Sequence, residues 1–421
     1  MEKYLHLYAE PEIAALKGLP DQESWSSVVV IPACNESPAF LRRPPPCDGR
    51  SLMILVINEP ADDFNEVSLS NQKLAEKVHS LFELKWRSGP EFPGFELMLF
   101  QDHQESRDVL LVDRFSAGFQ LPAKGGVGHA RKIGADLAAS LIAEKRIRSH
   151  WIHCTDGDVH LPETYFTCSH DFQDMEAYSA LVYPYRHCDP SEGVENREVA
   201  LATQLYEHSL RYYVAGLKFA GSPYAFHTIG STMAVSARHY AMVRGFPKRL
   251  AGEDFYLLNK LAKVGKVLEL DEGHACQAIR IEARRSDRVP FGTGAAVNQI
   301  TALADPVKDF RFYNPEIFVL LKLWLEAMPT IWPSQSSNLA TSDLREQEFL
   351  LNGLIEIGAE KALDHAFRQS KDLEQFMKQM VTWFDAFRTL KLVHYLRDHH
   401  LPSISHEVLL SNQAYQLLDN F

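Results

Sequence analysis

The sequence lacks an excess of basic residues, a long apolar run and any close pair of cysteines. Its 421 residues carry 43 lysines and arginines against 55 aspartates and glutamates, for a formal net charge of −12. A general nucleic-acid binder usually displays a basic surface, so this balance argues against one. It also means that any phosphate must be handled locally, by a few cations or by a metal ion. No stretch approaches the roughly 20 apolar residues that span a bilayer, because the nearest, residues 317–325, is short and contains Lys322.

The cysteines are few, scattered and without a CxxC pair. They are Cys34, Cys47, Cys154, Cys168, Cys188 and Cys276. In a chain of this length, that distribution predicts reduced and mostly buried thiols instead of a disulfide framework. The first 20 residues contain early acids and lack the basic-then-apolar pattern of a secretory signal. Together these features predict a cytoplasmic protein, with contact at the periphery of a membrane left open.

Short apolar runs alternate with segments of helical spacing in the first half of the chain. The predicted strands are residues 26–33, 52–58, 109–113 and 151–155, and the predicted helices are residues 66–84 and 129–145. This alternation predicts an α/β fold with a mostly parallel central sheet covered by helices on both faces. Ligands of such sheets bind at the carboxyl ends of the strands, which is where Asn35, Asn58, Asp113 and Asp156 fall.

The pattern of apolar spacing along the sequence predicts three regions. Residues 1–25 form a helical or irregular leader, residues 26–300 form the α/β domain, and residues 301–421 carry repeated helical spacing with few β-branched runs. The last region is therefore predicted to be a helical C-terminal extension.

Asp156-Gly157-Asp158 directly follows an apolar strand. Two carboxylates that flank one residue at a strand end can share a divalent cation with a diphosphate, because Mg²⁺ and Mn²⁺ prefer oxygen ligands. Aspartate and glycine are also turn formers, and the tripeptide alone favours a turn over a metal site.

A second acid pair follows Gly252 and opens a helical pattern. Glu253 and Asp254 precede Phe255, Leu258 and Leu261, which share one helical face. Acids at a helix N-terminus complement the helix dipole by about 0.3–1 kcal/mol, which is a sufficient structural reason for them. The same dipole would keep Asp254 ionised, as a general base requires.

Two further segments could face an anion. The glycines of residues 125–128 lead into a helix whose first turn contains Arg131 and Lys132, although Arg131 stands where a dinucleotide fingerprint has its last glycine. Arg284, Arg285 and Arg288 precede a glycine-containing loop, and guanidinium groups bind phosphate bidentately. The alternatives are a solvated basic pair and a surface cluster paired with neighbouring acids.

Taken in order, these segments resemble the family 2 glycosyltransferases of the GT-A fold. The resemblance lies in VVVIPACNES (28–37), CTDGDVHLPETY (154–165), GSTMAV (230–235) and RGFPKRLAGEDFYLLNKLAKVG (244–265). It extends over residues 26–294, about two thirds of the chain. The order of the motifs is more specific than any one of them, so it favours the metal-binding interpretation of the aspartate pair.

The resemblance implies a transferase that uses a nucleotide sugar, such as a UDP- or GDP-sugar, and Mg²⁺ or Mn²⁺. Asp156 and Asp158 would hold the metal, Asp254 would deprotonate an acceptor hydroxyl, and Glu253 would support it. The residues that the resemblance and the residue chemistry together assign to the nucleotide sugar are Ala33, Asn35, Glu36, Asn58, Arg131, Asp156, Arg284, Arg285 and Arg288.

The sequence also departs from the family's pattern. Asn58 stands where many members have an acid, and the Q-x-x-R-W motif of processive synthases is absent, which predicts a non-processive enzyme. Two alternatives remain at this point: a retaining transferase on the same fold, and a non-catalytic domain that binds a nucleotide or a partner protein. The acceptor and the oligomeric state are left open by the sequence.

Overall fold

The computed structural model describes residues 1–21, 23–43, 45–61, 66–102, 106–172, 174, 176–188, 194–285, 292–339 and 343–418. The chain divides into two compact units. The first comprises Met1–Ala200 and Thr228–Ala296, and the second comprises Leu201–His227 and Val297–Phe421.

The strands, numbered in chain order, form one large sheet and two small ones. They are β1 (Ser27–Ala33), β2 (Ser51–Asn58), β3 (Glu83–Arg87), β4 (Glu96–Gln101), β5 (Arg107–Arg114), β6 (Trp151–Cys154), β7 (Val159–His160), β8 (Tyr178–Val182), β9 (Tyr185–Cys188), β10 (Met233–Ser236), β11 (Lys266–Glu269), β12 (Ile279–Glu282), β13 (Arg311–Phe312) and β14 (Ile404–Ser405). The large sheet has the order β11-β8-β10-β6-β1-β2-β5-β4-β3, and the small sheets have the orders β7-β12-β9 and β13-β14.

The helices are also numbered in chain order. They are α1 (Glu2–Leu7), α2 (Glu66–Leu81), α3 (Gly126–Ala143), α4 (Val194–Phe219), α5 (Ala237–Met242), α6 (Glu253–Leu261), α7 (Thr293–Thr301), α8 (Pro306–Asp309), α9 (Glu316–Ile331), α10 (Glu348–Glu356), α11 (Ala359–Gln369), α12 (Leu373–Trp383), α13 (Ala386–His399), α14 (His406–Ser411) and α15 (Gln413–Leu418). Short 3₁₀ segments include Pro11–Gly18 and Pro38–Arg42.

Four parallel strands, β6-β1-β2-β5, form the centre of the large sheet. Every residue of β1 and β2 is buried, as expected for apolar strands that are covered on both faces. Parallel strands place all of their carboxyl ends at one edge, so the polar residues that follow β1, β2 and β6 come together there. The predicted α/β fold, with its central sheet and its helical C-terminal region, is confirmed.

Both flanks of the large sheet contain antiparallel strands, which the sequence did not indicate, although the outermost pair β11–β8 is parallel. On one side β10 runs antiparallel to both β6 and β8, and on the other β4 runs antiparallel to both β5 and β3. Helix α2 ends at Leu81 instead of continuing to residue 84, because the chain enters β3 at Glu83. Strand β3 lies at the outer edge of the sheet, and its Glu83, Lys85 and Arg87 are exposed.

The N-terminal residues pack against α3. The hydroxyl of Tyr4 donates to Oδ1 of the buried Asp136 at 2.5 Å, and Lys132 contacts Oδ2 of the same carboxylate at 2.8 Å. Glu10 lies 3.0 Å from Nε2 of His129 and 2.8 Å from Nζ of Lys248. Burial alone would raise the pKa of Glu10, but its interactions with His129 and Lys248 lower it to about 2. The charged positions of α3 are therefore satisfied inside the first unit.

A disulfide joins Cys168 to Cys276, which corrects the expectation that the cysteines are all reduced. The two Cα atoms are 5.5 Å apart and 108 residues apart in sequence, and both side chains are buried. In the described part of the chain, Cys34, Cys47, Cys154 and Cys188 form no disulfide, as expected. The pairing could not be read from the sequence, because the spacing gives no sign that the two loops meet.

Reduction of this disulfide is expected to lower the free energy of unfolding by about 2–4 kcal/mol, since the bond closes a long loop and restricts the unfolded chain. Thermal unfolding with and without dithiothreitol measures the effect. The double variant Cys168→Ser/Cys276→Ser should unfold at the temperature of the reduced protein, with or without dithiothreitol. In Cys47→Ser, dithiothreitol should lower the unfolding temperature as much as it does in the parent protein. Equal unfolding temperatures for the oxidised and reduced protein would contradict the pairing.

The second unit is built mainly from helices. Its core includes the fully buried Trp324 and Phe318 of α9 and Phe376 of α12. The ring of Trp324 lies edge-on to Phe384, and Phe376 stacks on Phe367 of α11. Such aromatic pairs add about 0.5–1.5 kcal/mol beyond the apolar area that they bury. In the part of the chain that the structure describes, none of the helices combines the length and the apolar character needed to cross a lipid bilayer.

Candidate active site

The first acid pair lies at the carboxyl edge of the large sheet. Strand β6 ends at Cys154, and the chain turns through Asp156-Gly157-Asp158 before it forms β7. The side chains of Asp156 and Asp158 keep 33% and 18% of their surface exposed. Both carboxylates can therefore still be reached by a ligand.

Arg131 joins the two acid pairs that the sequence places about 100 residues apart. One of its terminal nitrogens contacts Oδ1 of Asp156, and the other contacts Oε1 of Glu253. Burial alone would lower the pKa of Arg131, but the two carboxylates raise it above its ordinary value. The guanidinium is thus a fixed cation, and the ends of β6 and α6 meet through it.

The glycines near Arg131 allow close packing. Gly126 has a positive φ of 50°, and a Cβ there would lie 2.5 Å from the Cα of Leu250. A Cβ on Gly230 would lie 1.8 Å from Nη1 of Arg131. The N–H of Gly128 donates to the carbonyl of Arg249 at 3.0 Å. The glycines after residue 124 therefore serve the packing of α3 against the segment before α6.

Glu253 and Asp254 have different surroundings although they are neighbours. Glu253 is buried and bound to Arg131, and burial raises its pKa to about 7, with the adjacent Asp254 adding to the rise. Asp254 is only partly buried, and its carboxylate accepts hydrogen bonds from the N–H of Phe255, at 2.7 Å, and of Gly230. Burial raises the pKa of Asp254 as well. Of the two residues, Asp254 is the one that keeps part of its surface exposed.

A second arginine binds the other aspartate. Nη2 of Arg284 lies 2.6 Å from Oδ2 of Asp158 and 2.8 Å from Oε1 of Glu36. Burial alone would lower the pKa of Arg284, but Glu36 and Asp158 raise it. We call Glu36, Arg131, Asp156, Asp158, Glu253, Asp254 and Arg284 the acid–arginine cluster. With all groups ionised it holds five carboxylates and two guanidiniums, a formal charge of −3.

The predicted nucleoside-binding residues lie at the ends of β1 and β2. Ala33 and Asn58 are buried, and Asn35 adopts a left-handed backbone with φ 57°. The buried side chain of Asn71, on α2, accepts from the N–H of Asn35 at 3.0 Å and donates to the carbonyl of Asn58 at 3.1 Å. Asn71 therefore fixes the two strand ends relative to each other, a role that the sequence did not indicate.

Among the described residues, Arg285 and Lys132 are not part of the acid–arginine cluster. Arg285 is largely exposed, and it lies 3.9 Å from Glu198. Arg288 lies outside the described residues. Lys132 contacts Asp136 and Tyr4, so its ammonium group is paired within the protein.

Asp156 and Asp158 are the residues of the cluster that could supply carboxylate ligands to a divalent cation. Among the described residues, no three His, Cys, Asp or Glu side chains are grouped so that they alone could hold a metal. Mg²⁺ typically takes one or two protein carboxylates and completes its shell with water and substrate phosphates. Two reachable aspartates and a residual negative charge fit that mode of binding.

Comparison with known proteins finds only distant structural neighbours. No model of a protein family matches the chain, and no curated protein matches it. Solved structures that match include S. aureus TarS 1–349 in complex with UDP-GlcNAc, with 11% identity and a TM-score of 0.35 over 90% of this chain and 99% of that chain. They also include the same protein in complex with UDP, with 11% identity and a TM-score of 0.36 over 89% of this chain and 91% of that chain. Similarity at this level carries no argument about what the present chain binds.

Proposed function

We propose that the chain is a glycosyltransferase that moves a sugar from a nucleotide sugar, such as a UDP- or GDP-sugar, to an acceptor hydroxyl with inversion of configuration. One observation carries the proposal: Arg131 holds the acid pair at the end of β6 beside the acid pair at the start of α6. Charge neutralisation for a leaving diphosphate and a carboxylate base for the acceptor then belong to one site, as an inverting displacement requires.

Asp254 is the proposed general base. As a residue Asp254 is partly exposed, while Glu253 is buried against Arg131 and serves as a positioning residue. The N–H groups of Phe255 and Gly230 orient the carboxylate of Asp254. The raised pKa of Asp254 makes it a better proton acceptor than an exposed aspartate, provided that the pH is high enough to ionise it.

Asp156 and Asp158 are the proposed ligands of Mg²⁺ or Mn²⁺. The cation would supply positive charge to neutralise the diphosphate of the donor. Arg284 contacts Asp158 and Glu36, so its guanidinium is fixed at the edge of the same site and can contribute to binding the phosphates. Ala33, Asn35 and Asn58, at the strand ends, would hold the nucleoside.

A screen of nucleotide sugars by thermal shift, with and without Mn²⁺, tests this proposal. We expect one donor class to raise the unfolding temperature in the presence of Mn²⁺, and chelation with EDTA to remove most of the rise. Asp158→Asn should lose the metal-dependent part, whereas Asp364→Asn, an exposed aspartate of α11, should behave as the parent protein. If no nucleotide sugar stabilises the protein, the proposal is wrong; stabilisation that EDTA leaves unchanged would overturn the metal site alone.

The stereochemistry of the product tests the role of Asp254 separately. Inversion requires the anomeric configuration of the transferred sugar to be opposite to that in the donor, which NMR of the product shows directly. Retention would refute direct displacement with Asp254 as the base.

A further inference from the structure

A large open cavity lies beside the acid–arginine cluster, on the small sheet β7-β12-β9. Its volume is about 1030 Å³, which is the size of a site for a substrate-sized molecule. The polar side chains of its lining come from His160, Glu163, Thr164, Arg186, Gln277 and Arg280. All of these residues belong to the first unit.

The register of the small sheet places three basic side chains in one row. Arg280 of β12 pairs with Arg186 of the parallel strand β9 and with His160 of the antiparallel strand β7. Register partners point to the same face of a sheet. The neighbouring positions Ile279 and Ile281 are buried in the core, so the row faces outward into the cavity.

The two arginines lack the partners that usually accompany such a pair. Neighbouring strands lie about 4.8 Å apart, and like charges directly opposite each other destabilise a sheet. Among the described residues, neither Arg186 nor Arg280 forms an ion pair with a carboxylate, and the recorded contact of Arg280 is with Sγ of Cys188 at 3.1 Å. Glu163 also lines the cavity, but it is not paired with either arginine in the described part of the chain. His160 is different, because it lies 2.8 Å from Glu282.

Two adjacent guanidiniums that have no carboxylate partner among the described residues, in a protein of net charge −12, are an arrangement suited to binding an oxyanion. Planar guanidinium groups present paired N–H donors that match the oxygens of phosphate. Phosphate has enough oxygens to accept from both arginines at once. An anion between them would offset the repulsion between the two guanidinium groups.

The row is close to the proposed site of transfer. His160 follows Asp158 by two residues, which is about 7 Å along a strand, and the N–H of Glu282 donates to the carbonyl of Asp158 at 3.2 Å. The donor diphosphate is already assigned to Asp156, Asp158 and Arg284. A second phosphate bound by Arg186 and Arg280 would therefore belong to the other substrate.

We propose that this cavity is the acceptor site, and that Arg186 and Arg280 select an acceptor that carries a phosphate group near the hydroxyl that receives the sugar. The inference rests on the proposed transferase function for the identity of the second substrate. The binding of phosphate to the two arginines does not depend on that function.

Titration with inorganic phosphate, followed by isothermal calorimetry, tests the proposal on the full chain. The protein is first saturated with the nucleotide sugar found in the thermal screen, so that phosphate cannot occupy the donor site. We expect phosphate to bind, and Arg186→Gln and Arg280→Gln each to weaken binding by about ten-fold, since each removes a charged hydrogen-bonding fork. Arg148→Gln, at an exposed arginine outside the cavity, should leave the affinity unchanged.

Arg280→Lys provides a second test, because it keeps the positive charge and loses the paired N–H donors. Its affinity for phosphate should lie between that of the parent protein and that of Arg280→Gln. Phosphate that fails to bind, or that binds equally well to both glutamine variants, overturns the phosphate site. If the nucleotide sugar fails to bind while the binding of phosphate still depends on Arg186 and Arg280, the proposed transferase function is wrong and the phosphate site stands. If the nucleotide sugar binds and phosphate does not, the transferase stands and the acceptor class is wrong.

Discussion

Asp254→Asn is expected to lower the rate of sugar transfer by about 10²–10⁴-fold, which is the usual contribution of a positioned general base. Asparagine has nearly the same shape and can still accept from the N–H groups of Phe255 and Gly230, but it cannot take a proton from an acceptor hydroxyl. The thermal stabilisation by the donor should be retained, because Asp254 is assigned to the acceptor side of the site. The measurement is the rate of product formation at saturating donor, and Asp364→Asn serves as the matched control.

The pH dependence of transfer follows from the same residue. Only the ionised form of Asp254 can act as a base, and its pKa is raised above the ordinary aspartate range by burial. The rate should therefore fall as the pH drops through that raised value, earlier than it would for an exposed aspartate with a pKa of about 3.9. If Asp254→Asn transfers sugar at the parent rate and its rate falls at the same acidic pH, Asp254 is not the base.

Arg131→Gln is expected to lower the free energy of unfolding by about 3–5 kcal/mol, because it leaves a buried carboxylate without its cation. Arg131 and Glu253 retain only 4% and 3% of their side-chain surface, so water cannot replace the missing partner. Chemical denaturation at a pH above 7, where Glu253 is mainly ionised, measures the loss.

A double-variant comparison separates this effect from simple loss of packing. Arg131→Gln/Glu253→Gln removes both charges, so it should be more stable than Arg131→Gln alone. Arg284→Gln should lower the free energy of unfolding by less than Arg131→Gln does, because a third of the Arg284 side chain is exposed and solvent screens its ion pairs. Additive losses in the double variant would show that Arg131 and Glu253 do not interact in the way that the contacts imply.

The sequence predicted the centre of the fold well, for a physical reason. Strands β1, β2 and β5 are continuous apolar runs because both of their faces are covered, and this pattern can be read directly from the sequence. The antiparallel β3 could not be found in the same way. Its residues, ELKWR, are mostly exposed and charged, so they resemble the end of the preceding helix.

The two acid pairs could be found from the sequence, but their connection could not. Asp156 and Asp254 each lie next to a clear element boundary, which marks them as candidates. The position of Arg131 between them depends on how α3 packs. One signal was present: the helix after Arg131 is largely apolar, so its charged residues had to be buried and paired. The row of Arg186 and Arg280 depends on strand register, and short strands of four residues carry too little pattern to fix it.

The outer edge of the large sheet has a consequence for how copies of this protein meet. An unpaired edge strand offers its backbone N–H and C=O groups to any other extended chain, and a flat apolar edge promotes aggregation. Strand β3 instead presents Glu83, Lys85 and Arg87, with Lys85 2.9 Å from Glu83 and Arg87 3.4 Å from Glu96. A second copy that added a strand here would have to desolvate these charges and break their pairs. The charges on β3 therefore oppose edge-to-edge association, and the large sheet is protected from growing into a polymer at that side.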